Sequence, residues 1–194
     1  MTIKARIASL PVISKAINGG LMLAAVFGLS LAIPASAIAQ DDCGLSIQRT
    51  WLKGLVATAT VSGPCNSAKI DLAVRNSAGD LMWSTSHAAE GLFGFDGIED
   101  TDSMGVALAD WLGDYADDST SSQLPEWPTG VSMPNGGEFP FYVADGIDQP
   151  TYEAIRIGNY PMLCYIQGQE STLCLIRQPR LKTLINVGAQ SFPG

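Results

Sequence analysis

The chain has 194 residues, of which 46% are apolar and 15% charged, an apolar share that disordered chains lack. Lys and Arg number 11 against 19 Asp and Glu, a formal charge of −8, which excludes the basic face that a general nucleic-acid binder needs to neutralise phosphate. The length suits a single domain with a leader.

The N-terminus has the layout of a secretory signal. Lys4, Arg6 and Lys15 precede an apolar run over 17–33, Pro34 breaks it, and Ala35-Ser36-Ala37 and Ala37-Ile38-Ala39 both offer the small-x-small pattern that signal peptidase accepts. The expectation is a signal peptide over 1–39, cut after Ala37 or Ala39, leaving 40–194 as a single exported domain with no stable membrane span. An uncleaved anchor is the alternative, because the apolar run is nearly long enough to cross a bilayer. There is no twin-Arg pair, and Cys43 lies behind Gln40-Asp41-Asp42, so no lipid attachment site is read. The periplasm is the expected compartment, full secretion the second.

Beyond the leader the charge is lopsided. All 19 acids but only eight bases remain, and between Arg75 and Arg156 there are 15 acids and no Lys or Arg. A solvated acidic surface accounts for this. Recognition of a basic protein or peptide, or of a divalent cation, are the sharper readings.

Residues 43–88 read as a four-stranded antiparallel meander, with period-2 alternation punctuated by Gly, Asn and Pro. Gly44–Leu52 and Leu55–Val61 flank a turn centred on Gly54. That register sets Cys43 opposite Cys65, Ile47 opposite Val61 and Trp51 opposite Ala57. Leu55, Ala57, Ala59 and Val61 share one face, with Thr58 and Thr60 on the other. Ile70, Leu72 and Val74 alternate in the third strand, 76–80 turns, and Leu81–Thr85 is the fourth.

Residues 89–101 form a glycine-rich loop with Phe93, Phe95 and Ile98 as apolar anchors. A helix follows from Thr101 or Asp102, with Met104, Leu108, Trp111 and Leu112 on one face and its end near Gly113 or Ala116. Residues 117–149 are rich in Asp, Ser, Pro and Gly and read as a long irregular stretch. Within it, Trp127 sits between Pro125 and Pro128, either as a binding anchor or as a lid on the core. Pro150 opens a short helix to Ile157 that turns Tyr152 and Ile155 inward, with Arg156 as a further candidate for that face. A hairpin over 162–177 turns at 168–170 and sets Cys164 opposite Cys174. A last strand runs Leu181–Val187, and 188–194 should fray.

Four cysteines in an exported chain suggest disulfides, and Cys43–Cys65 with Cys164–Cys174 is the pairing that closes two hairpins. A zinc site is disfavoured, since there is no C-x-x-C and His87 is the only histidine. The fold class expected is α+β. It is mainly antiparallel sheet, an N-terminal meander plus a C-terminal hairpin and strand, with one amphipathic helix and a long central loop.

Catalytic signatures are missing. There is no G-x-S-x-G, no phosphate-binding glycine loop and no cofactor fingerprint. His87, adjacent to Ser86, reads as a surface residue whose side chain points away from that serine. The acids of the interval 80–153 leave open a carboxylate-pair hydrolase of cell-wall or glycan material. Asp96, Glu99, Asp100 and Asp102 are the densest group. They fail the EF-hand frame, but Asp96, Asp100 and Asp102 leave a different calcium site open. No cofactor is expected. The reading favoured is a non-catalytic binding or inhibitor-type module for a basic protein or peptide. Trp127, Asp96, Glu99, Asp100, Asp102, Asp117 and Asp118 are its candidate contacts. A glycan hydrolase or a structural envelope component are the alternatives.

Overall fold

The computed structural model describes residues 42–192. The expected leader and its cleavage sites lie outside them. Strands β1 (Ser46–Trp51), β2 (Leu55–Ser62), β3 (Lys69–Arg75) and β4 (Leu81–Ala88) make an antiparallel sheet in sequence order. Helix α1 (Thr101–Leu112) follows. Then come β5 (Ala116–Thr120), β6 (Phe141–Val143), helix α2 (Gln149–Gly158), β7 (Pro161–Ile166), β8 (Ser171–Ile176) and β9 (Ile185–Ser191). The last five strands form a second sheet in the order β5-β7-β8-β9-β6, every pair antiparallel. The α+β class, dominated by antiparallel sheet, is therefore observed.

The meander matches the alternation of its sequence. In β2, Leu55, Ala57, Ala59 and Val61 are buried, and in β3 so are Ile70, Leu72 and Val74. The first hairpin, however, sits two residues away from the expected register. Trp51 pairs with Leu55 and Ile47 with Ala59, because the turn is Leu52-Lys53-Gly54, with φ of 45°, 49° and 121°. Two successive non-glycine residues in the left-handed region are invisible to a rule that centres turns on glycine. A two-residue slip preserves which face each side chain occupies, so the buried set is unaffected. The disulfide also forms. Cys43 donates its N–H to Gly63 O, and Cys65, just past that point, bridges to it with Cα atoms 4.9 Å apart.

The second hairpin has the expected register, with Cys164 opposite Cys174 and Tyr165 opposite Leu173. Gln167 N–H bonds Ser171 O, which makes 165/173 a hydrogen-bonded pair and leaves 164/174 a non-bonded one. There Cα atoms approach most closely, here to 4.0 Å, and the disulfide is present. No described cysteine is free.

Two expectations shift, and one holds. The stretch 117–149 is not wholly irregular, since β5 and β6 lie in it as the two edges of the second sheet. The short helix expected after Pro150 is present as α2, one of two α-helices among the described residues. The last strand is Ile185–Ser191 rather than Leu181–Val187, and residues 188–191 are paired with β8 and β6 instead of frayed. Gly188 explains that shift. A Cβ there would meet Tyr142 O at 2.4 Å and the Phe141 ring at 2.6 Å, so only glycine lets β6 dock on β9.

The molecule is layered around β7 and β8. Leu163, Tyr165, Leu173 and Leu175 face the first sheet and α1. Met162, Cys174 and Ile176 face the other way, toward α2 and the segment before it, with Leu124, Tyr152 and Ile155. Indole N–H groups join the first layer. Trp51 bonds Leu112 O at 2.8 Å, Trp111 bonds Ile166 O at 2.7 Å, and Trp83 bonds the Tyr165 hydroxyl at 3.3 Å. Tyr165 also packs against the rings of Trp51 and Trp111, with centroids 5.5 and 6.1 Å away.

Two outcomes are expected. Native, unreduced protein should show no thiol to Ellman's reagent, and four after reduction in denaturant. Reduction should lower stability by roughly 2–3 kcal/mol per bridge. Burial pushes the Tyr165 hydroxyl up to about 12, the Trp83 bond offsetting this only in part. The unfolded chain therefore loses this proton first, and stability present below pH 10 should fall by about 2–3 kcal/mol between pH 10 and 12. Urea titrations over that range should show a shallower decline for Tyr165→Phe.

Candidate functional site

The acidic residues of the densest group lie together at the start of α1. Asp100 is the N-cap. Its carboxylate accepts Ser103 N–H at 2.8 Å and Ser103 Oγ–H at 3.0 Å, and these bonds hold it below its ordinary carboxylate pKa. Asp102 follows in the first turn, where the helix dipole favours negative charge. Asp96 and Glu99 stand exposed on the loop pinned by buried Phe95 and Ile98. Among the described residues no group of three His, Cys, Asp or Glu side chains is placed to hold a metal, so Asp96, Asp100 and Asp102 do not assemble the calcium site left open above.

Asp117 and Asp118 lie beyond the other end of α1, on β5, and point to opposite faces of the second sheet. Asp118 accepts Leu52 N–H at 3.4 Å. Asp117 borders a cleft of about 380 Å³ with Met162, Cys164, Thr172 and Gln190. Asp110 and Asp114 lie between the two groups. Arg49 lies at this end of the helix, its Nη2 3.3 Å from where a Cβ at Gly113 would sit.

Trp127 is on the α2 side, across the second sheet from α1. Its ring meets Tyr152 edge-on at 5.5 Å, its indole N–H bonds Val131 O at 3.0 Å, and its backbone N–H bonds Glu153 at 3.1 Å. Gln149 and Arg156 complete the attachment. The Gln149 amide donates to Trp127 O at 2.7 Å, and Arg156 donates to Leu124 O at 2.9 Å. Arg156 also pairs with Glu153 at 2.8 Å and reaches Glu126 at 4.0 Å. Glu126 and Glu153 share a cleft of about 530 Å³ with Trp127, Gln149 and Arg156, and both oxygens of Glu153 are engaged in holding the loop on α2. Asp96, Glu99, Asp100 and Asp102 thus occupy the loop and first turn at the start of α1, and Asp117, Asp118 and Trp127 lie elsewhere. Arg156, the first base after the long acidic interval, was a candidate for the inward face of α2, but its role as anchor of the loop was not read from the sequence. Its signal was the i, i+3 spacing from Glu153.

His87 is not a surface residue. It is half-buried on β4, its ring meets Trp111 edge-on at 5.7 Å, and its Nε2 is enclosed without a hydrogen-bond partner. Burial lowers its pKa. Ser86 points to the other face, where its hydroxyl donates to Asp71, so no Ser-His-Asp set forms here. Among the described residues no helix is long and apolar enough to cross a membrane. The two disulfides accord with an oxidising, extracytoplasmic environment.

Trp127→Ala should lower stability by about 2–3 kcal/mol in urea titration, since the ring is packed on Tyr152 as well as facing solvent. An unchanged midpoint would mean that the ring does not cover the core.

No protein family, curated protein or solved structure matches this chain.

Proposed function

We propose that the mature chain is an exported, periplasmic, non-catalytic binding module that recognises a basic protein or peptide through the acidic surface around α1. The observation that carries this reading is the state of the carboxylates. None of the 15 acids between Arg75 and Arg156 is buried, and only Glu126 and Glu153 have a base within ion-pairing distance among the described residues. Charge left uncompensated on a rigid scaffold attracts a cationic partner from a distance and speeds its encounter. Rigidity is supported by the two disulfides and by the capped helix that holds Asp100 and Asp102. Asp96 and Glu99 extend the same negative patch into solvent, where a partner's Lys or Arg can reach it without desolvating a buried group. The paired Glu153 instead has a local role, fastening the Trp127 loop.

The test is affinity capture from an envelope fraction at low and high salt, with retained proteins identified by mass spectrometry. A basic partner held at low salt and released at high salt is expected. Replacing Asp96, Glu99 and Asp102 by their amides, with the N-cap Asp100 left intact, should weaken that partner by about tenfold, three exposed pairs contributing roughly 0.5 kcal/mol each. Absence of any salt-sensitive partner, or equal binding by the triple variant, would overturn the proposal.

A further inference from the structure

The two sheets leave four edge strands, β1, β4, β5 and β6. Exposed edges invite pairing with another chain, and natural proteins blunt them with charge, shortness or cover. Three of the four are blunted. β1 carries Arg49 on the same face as Ile47 and Trp51, β5 carries Asp117 and Asp118, and β6 is three residues long. β4 is eight residues, Leu-Met-Trp-Ser-Thr-Ser-His-Ala, with no charged residue, no Pro and no Gly. That is the composition of a strand that pairs readily.

The hydrogen-bond phase shows which groups of β4 are open. Ala89 N–H bonds Ala68 O at 2.9 Å. Counting back by twos along the β3–β4 register, His87/Ile70, Thr85/Leu72 and Trp83/Val74 are the bonded pairs. The N–H and C=O groups of Ser84, Ser86 and Ala88 therefore point away from β3, and no described residue bonds them. Met82 has the same phase, and its carbonyl is already taken, by Leu184 N–H at 2.9 Å, which closes the edge on that side. The open segment is 84–88. Its outward-facing side chains, Ser84, Ser86 and Ala88, are small and exposed.

We propose that β4 pairs with β4 of a second copy of this chain, antiparallel, about a two-fold axis at Ser86. That register sets Ser84 opposite Ala88 of the partner and Ser86 opposite its own copy. Every open N–H then meets an open C=O, so the segment is its own complement. The same strand on both sides is the isologous arrangement of a two-fold dimer. The edge has small side chains and no charge with which to select a foreign sequence. The carboxylate beside the axis, Asp71, is already engaged by Lys69 and Ser86. The excess negative charge of each copy opposes association, so salt should strengthen this dimer, whereas it weakens capture of a basic partner.

The test is sedimentation equilibrium of the mature chain at low and high salt, with amide exchange read by mass spectrometry. The expected result is a monomer–dimer equilibrium that shifts to dimer with concentration and salt, with added protection at Ser84, Ser86 and Ala88. Ser86→Pro removes an outward N–H that β3 does not use and should give a monomer with native circular dichroism. Ser84→Lys, which keeps the backbone intact and sets lysines near the axis, should do the same should the proline disturb folding. A monomer under all conditions, or a dimer unaffected by Ser84→Lys, would overturn the proposal.

Discussion

The structure depends on one hairpin that is buried on both faces. β7 and β8 send alternate side chains into two separate cores, Leu163, Tyr165, Leu173 and Leu175 to one side and Met162, Cys174 and Ile176 to the other. Sheets with one solvated face alternate apolar and polar residues, whereas strands covered on both faces read as unbroken apolar runs. That is the character of Met162 to Ile166 and of Leu173 to Ile176. The meander with α1, and α2 with its preceding loop, are each amphipathic and each need an apolar surface to cover. The hairpin supplies both surfaces, and the Cys164–Cys174 bridge fixes its register at the centre. A slip of one residue would exchange the two cores' side chains.

Polar groups enter this interior only where the fold uses them. The indoles of Trp51, Trp83 and Trp111 each place a large apolar area in the first core and direct their one donor at a specific acceptor. Two of these acceptors are main-chain carbonyls at the ends of α1 and β7. Such directed bonds fix how helix and sheet sit, which undirected apolar contact alone does not. The fully buried Ser121 does the same on the other side, donating to Ile155 O at 2.6 Å and accepting Tyr160 N–H at 2.8 Å. Among the described residues no charged side chain is fully buried, and most of the acidic interval faces outward.

How legible this was varied with the physics of each element. The meander and α1 were plain because one face of each meets solvent, so burial imprints a period of two or 3.6 on the sequence. Both disulfides followed from hairpin arithmetic, the first surviving a register error because Cys65 lies beyond the last paired residue. β5 could not be read. Ala-Asp-Asp-Ser-Thr has no apolar alternation, and it becomes a strand only because β7 offers it an edge. β9 was displaced by four residues because Gly188 and its polar neighbours look like a fraying end. They are required by the close approach of Phe141 and Tyr142, which is a tertiary fact. At the candidate site, the clustering of Asp96, Glu99, Asp100 and Asp102 was local and visible. The separation of Trp127 from that group, on the far side of a sheet, was not.

The first core also shows why covalent clips matter here. The inner face of the meander includes Ala57, Ala59 and Ala68, which bury little apolar area each, at roughly 25 cal/mol per Å². Trp51 and Trp111 share this core and supply the bulk that the alanines lack. Each ring is held by aromatic neighbours, Trp111 by His87, Phe95 and Tyr165 and Trp51 by Tyr165, and loss of one would open a large cavity rather than a small one. The Cys43–Cys65 bridge joins the start of β1 to the end of β2, at the margin of this alanine-lined face. It limits the unfolded ensemble by closing the first hairpin beyond its last strand pair. Aromatic volume set over these alanines, with Leu55, Ile70, Leu72 and Val74 beside them and sulfur closing the margin, lets the meander hold a single arrangement.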